Sequence, residues 1–170
     1  MIGYIELDEG KLEIQREATG RDLLRALQSQ TKGGGFISSL IASVCSLNGQ
    51  TLTPDMVEEF DAGISLAIQE AIFTTQELVP ESIETFPKIY CLGDKSITLS
   101  EPRKIKHDSK ATRLANGDNN AIAFWLITLL VSVDDKSLRY DDLLDFPAGD
   151  VQALMGLVTP KKPILVRAKT

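Results

Sequence analysis

His107 is the sole histidine among the 170 residues, and Asp108 follows it directly. A His-Asp pair can serve as general base and orienter, but that chemistry also needs an activated serine or cysteine within reach. The sequence neighbours are Lys104, Lys106 and Lys110, and nothing around them marks a nucleophile. The pattern reads as a surface histidine in a basic loop, so no catalytic residue is assigned. Two acidic groups, Asp134-Asp135 and Asp141-Asp142-Asp145, raise the question of a cation. They lack the spacing of an EF-hand loop. Carboxylates at 141 and 142 also suit the positive end of a helix dipole. No metal ligand is assigned. Residues 31–35, TKGGG, lack the G-x-x-x-x-G-K-[ST] order that cradles phosphate and read as a flexible connection. Cys45 and Cys91 lie in apolar runs and read as small buried hydrophobes rather than a disulfide. No cofactor is expected, and the chain reads as non-enzymatic.

Apolar residues make up 43% of the chain, enough for a packed core. The net charge of −6 argues against a nucleic-acid partner. The basic run 103–113 carries no interleaved aromatics, so it reads as a solvated segment. The sequence does not open with a basic-then-apolar leader. The apolar run 121–133 is broken by Thr128 and Ser132 and is shorter than the ~20 residues of a membrane span. A soluble protein of the cytoplasm, without a membrane partner, is the expectation. Charge is unevenly divided. Residues 1–86 hold 5 Lys+Arg against 14 Asp+Glu, a net of −9, and residues 87–170 hold 13 against 10, a net of +3. Solvated faces of different sign explain this most simply; attraction between the halves, or between copies in a homo-oligomer, is the sharper alternative.

The elements that would position any site follow an internal repeat. Shifting the chain by 86 residues aligns 36–72 with 122–158 without a gap, and nine of the 37 positions are identical, among them Phe60/Phe146, Ala62/Ala148 and Gly63/Gly149. Chance would give about two or three. Upstream, YIELDEGKLEI (4–14) meets IYCLGDKSITL (89–99), each an extended run broken by a turn cluster, the mark of a β-hairpin. Helical stripes follow at Leu23, Leu24 and Leu27, and at Phe36, Ile37, Leu40, Ile41 and Val44. The counterpart of the first, KHDSKATRLAN, lacks such a stripe, so a helix there would be poorly anchored. Residues 36–48 and 119–133 read as helices, the second apolar nearly all round. Thr53-Pro54 reads as an N-cap with proline at the first helical position. Pro147 should split its region into 140–146 and 147–158, with a matching break near Asp61. Phe60 and Phe146 should be equivalent buried residues, and Gly63 and Gly149 should mark close packing.

The predicted fold is therefore α+β and mostly helical, with two similar units related by a repeat of about 86 residues, each a β-hairpin followed by two or three helices. The first unit spans 1–73, a linker spans 74–88, the second unit spans 89–159, and an extended tail with a strand-like ILVRA spans 160–170.

LEIQREATGRDLLRAL followed by LIASVCSLNGQTLTPDMVEEFDAGISLAIQEAI resembles the tail assembly chaperones of contractile-tailed phages, and LRYDDLLDFPAGDVQALMGLV resembles their last segment more closely still. Ala18 stands where that family usually has proline before Thr19-Gly20-Arg21-Asp22; the second half keeps Pro102 without the Thr-Gly-Arg-Asp signature. The resemblance implies a protein that binds the long helical tape measure protein, or another tail protein, and keeps it soluble during tail assembly. Leu23, Leu27, Ile64 and Ile68 are the partner-contact candidates, with core packing as the competing role for each. A structural or adaptor subunit of a phage tail or tail-like particle is the alternative.

Overall fold

The computed structural model describes residues 1–74 and 76–169. Strands β1 (Gly3–Leu7) and β2 (Gly10–Ile14) form a hairpin with Ile5 opposite Leu12. The period of two puts Leu12 and Ile14 in the core and Tyr4 and Glu6 in solvent. Helix α1 (Gly20–Thr31) begins with a Thr19–Asp22 capping box, and Leu23, Leu24 and Ala26 face inward. Helix α2 (Phe36–Val44) runs without a loop into β3 (Cys45–Leu47), which pairs with β2 and turns back as β4 (Gln50–Thr51). Helix α3 (Pro54–Glu58), capped by Thr53, and α4 (Ala62–Ile72) complete this half.

The same order then recurs: β6 (Lys88–Leu92), β7 (Lys95–Leu99), α5 (Ile105–Ala115), α6 (Ile122–Leu130), β8 (Val131–Val133), β9 (Lys136–Ser137), α7 (Tyr140–Asp145) and α8 (Ala148–Val158). A 3-10 turn, Asn119–Ala121, leads into α6, and an additional strand, β5 (Leu78–Ser82), precedes β6. The fold is α+β, with two antiparallel sheets ordered β1-β2-β3-β4 and β5-β6-β7-β8-β9. The first strands of the two hairpins start 85 residues apart, at Gly3 and Lys88, and α2 and α6 start 86 apart, at Phe36 and Ile122. Residues 159–169 form no regular element.

Several expectations change. The helices read over 36–48 and 119–133 end early, and each passes into a short strand. The cause is the turn that follows: Asn48-Gly49 and Asp134-Asp135 all have positive φ, the conformation of a tight hairpin turn. Asn48 Oδ1 accepts the Lys11 N–H at 2.9 Å, and Asp134 Oδ1 accepts the Ser96 N–H at 2.9 Å. The Asp134-Asp135 pair is thus a turn. His107 is not in a surface loop. It is buried on the first turn of α5, where its Nδ1 accepts the Lys104 N–H at 2.9 Å and its Nε2 faces Glu101. With Ala111 and Ala115, it anchors a helix that has no apolar stripe against α6. Phe60 and Phe146 pack against the core but are only half-buried. Gly149 is buried, whereas a Cβ added at Gly63 would meet nothing.

One apolar cluster runs through both halves, with Phe124, Leu12 and Ile97 among its fully buried members. Cys45 belongs to it, and burial pushes its thiol up to about 11. Cys91 is half-exposed; its Sγ–H donates to Glu81 Oε1 at 2.8 Å, and that bond raises its pKa. Iodoacetamide at neutral pH is therefore expected to label Cys91 first, faster in Glu81→Gln, and Cys45 only on unfolding. Mass spectrometry of timed samples checks the order.

Candidate partner-binding surface

The four contact candidates separate cleanly. Leu23 and Ile68, at 2% and 0% exposure, are core residues and offer no surface to a partner. Both lie on the inward stripe of their helices, where periodicity alone cannot tell core from contact. Leu27 and Ile64 are half-buried at the edge of the same core.

The open surface lies beside them. Helices α2, α3 and α4 enclose a groove of about 430 Å³, floored by Phe36, Ile37, Ile41, Val57, Phe60 and Ala62. Glu58 stands on its rim, where its carboxylate accepts the Ser38 hydroxyl at 2.7 Å. The corresponding face of the second half, built by α6, α7 and α8, is closed. Helix α1 lies across it, packing on α7, α8 and the 3-10 turn. Its approach is close: the Gly20 N–H donates to the Phe146 carbonyl at 2.8 Å, and the Ala148 N–H donates to the Ala18 carbonyl at 2.8 Å. A Cβ at residue 20 would overlap the Leu143 carbonyl oxygen and crowd Val151 Cγ2 at 3.1 Å. At the far end of α1, the Gln28 amide donates to Asp118 at 2.9 Å, and Thr31 bonds Asn120. The chain itself thus shows what covers a face of this kind: one amphipathic helix.

The residue types agree. Leu144 and Val151 are buried, Val151 against Gly20 of α1, while their counterparts at the 86-residue shift, Glu58 and Ser65, sit in the open groove. Ala148 is fully buried, and Ala62 is exposed. Close packing expected at Gly63 fails for the same reason: among the described residues, nothing lies within 4 Å of a Cβ added there.

The covering helix is held in place by a charge pair. Asp22 is buried, and its carboxylate accepts both the Thr19 N–H, at 2.9 Å, and the Arg16 guanidinium, which grips it with two nitrogens. Burial alone would raise the Asp22 pKa; the Arg16 and Thr19 bonds outweigh it and hold the carboxyl below its ordinary value.

A second groove, of about 350 Å³, runs beside β1. Its walls carry the carboxylates of Glu6, Asp8, Glu9, Glu59 and Asp61, with Ile64 among its apolar residues. Phe60 lines both grooves. Among the described residues, no group of three or more His, Cys, Asp or Glu is placed to hold a metal ion, and no helix is long and apolar enough to cross a membrane. No family model matches the chain, and neither a curated protein nor a solved structure matches it significantly.

Proposed function

We propose that the chain is a non-enzymatic binding protein that holds an amphipathic helical segment of a larger partner in the α2–α4 groove. One observation carries the reading: the equivalent face of the second half is covered by helix α1, and the face of the first half is open. Apolar stripes of a long helical protein aggregate unless covered, and a groove of this shape takes an apolar helix face. The resemblance at Thr19–Asp22, 60–63 and 146–149 supplies the partner class. The protein acts in the cytoplasm as an assembly chaperone of a phage or prophage tail, and its partner is the tape measure protein.

Co-expression with a candidate tape measure protein, followed by pull-down, tests this. The wild-type chain is expected to keep the partner soluble and to co-purify with it. Ala62→Arg alters the groove at an exposed position, so it should abolish capture with little change in melting temperature. Leu23→Ala and Ile68→Ala should instead lower stability by about 2–5 kcal/mol, as core truncations do. If the tape measure protein is equally insoluble with and without this chain, the chaperone reading fails. Recovery of the chain from purified particles would then favour a structural or adaptor subunit.

A further inference from the structure

The two sheets differ at one edge. In the second sheet, the outer edge of β6 is covered by β5, which pairs Val79 with Cys91 and Ser82 with Ile89. Their counterparts on β1, at the 85-residue shift, are Glu6 and Tyr4. Lys11 spends its N–H and carbonyl on Asn48, away from β1, so the antiparallel alternation turns the backbone groups of Tyr4 and Glu6 outward. Nothing among the described residues pairs with them. The remaining edges are guarded: β4 and β9 are two residues long, and β5 carries Pro80 and a register shift. The edge of β1 is five residues long, with neither proline nor bulge.

A candidate occupant is in the same molecule. Ile164, Leu165 and Val166 are 92%, 75% and 85% exposed, form no element, and have strong strand-forming character. Lys161, Lys162, Arg167 and Lys169 flank them, and no acidic residue lies within 159–169. The groove along β1 is lined by five carboxylates and no cation. Shape requirement and charge therefore match.

We propose that the outer edge of β1 takes residues 164–168 of a second copy of this chain as an added strand, with the flanking cations set against the acidic groove. The donor and acceptor surfaces are different patches, so the association is head-to-tail and continues past the dimer. It uses a different surface from the α2–α4 groove, with Phe60 on the border of both.

Sedimentation velocity of the full chain over a concentration series reads this out. Species larger than a dimer are expected to grow with concentration and to dissociate as salt screens the charges. Reversing the arm (Lys161→Glu, Lys162→Glu, Arg167→Glu) or the groove (Glu6→Lys, Glu59→Lys, Asp61→Lys) should each abolish association, and the two sets combined should restore it. A synthetic peptide of residues 159–169 should dissociate the wild-type assembly, a readout that needs no variant to fold. Association should also slow amide exchange at Tyr4 and Glu6. A chain that stays monomeric at every concentration, association indifferent to the arm reversal and the peptide, or protection that appears elsewhere would each overturn the proposal.

Discussion

Gly20→Ala is expected to lower the stability of the whole protein by about 3 kcal/mol, at the upper end of overpacking costs because the obstacle is backbone. The new Cβ would meet the Leu143 carbonyl oxygen, with Val151 Cγ2 closing the other side. A side-chain tip could swing away; a carbonyl held in helix α7 cannot. Relief requires α1 to lift from the second half, and with it the paired hydrogen bonds Gly20–Phe146 and Ala148–Ala18. For a chain of this size the melting temperature should fall by roughly 6–12 °C. Gly63→Ala is the control. It also lies in the first turn of a helix, but its added Cβ meets open space. Alanine there should be neutral or stabilising by up to about 1 kcal/mol. Equal melting temperatures for the two variants would show that α1 does not seal the second half as described. The result also bears on function, because the seated α1 is the pattern for the helix proposed to enter the open groove.

The alternation of the hairpins, the capping of α3, and the break at Pro147 were legible because each is written locally, in period, cap residue or missing N–H. Asn48-Gly49 is a dipeptide that suits a hairpin turn, but the apolar run before it carries a helical stripe, so the helix expected over 36–48 overruns the turn. Asp134-Asp135 was harder. Two aspartates with positive φ announce a turn only beside their partner, the Ser96 amide. α5 is held by one histidine and two alanines, residues that create no visible stripe. The candidate groove left a fainter trace. Comparing the halves, most apolar positions keep their character, while Leu144 and Val151 face Glu58 and Ser65. An apolar residue whose counterpart is polar marks a face covered in one half and open in the other. Reading that trace required knowing that α1 crosses from the first half to the second. Such long-range packing has no signature in local sequence.

Asp22→Ala should cost roughly 2–3 kcal/mol. It removes the N3 half of the capping box, leaving the partly buried Thr19 N–H and the Arg16 guanidinium without their acceptor, each at a cost of about 1–2 kcal/mol. The pH dependence has a definite sign. Asp22 is held below its ordinary pKa in the folded chain, so its stabilisation is complete above the unfolded carboxylate range, near ~3.9, and is lost as pH falls through the lower folded value. Melting temperatures of wild type and Asp22→Asn should differ at pH 5 and converge in strong acid; a gap that persists there would remove Asp22 ionisation as the cause. The second half tests the same site in another way. Arg16 and Asp22 correspond, at the 85-residue shift, to Glu101 and His107, which are also paired, with the acid and base exchanged. The bond from His107 holds the Glu101 carboxyl below its ordinary value. If the two positions are equivalent, the exchange should be portable. Arg16→Glu and Asp22→His should each destabilise, and the double variant should recover about 1–3 kcal/mol relative to their sum, the size of coupling that contacting residues show. A strictly additive double variant would mean that the two pairs share a position in the chain but not a structural role.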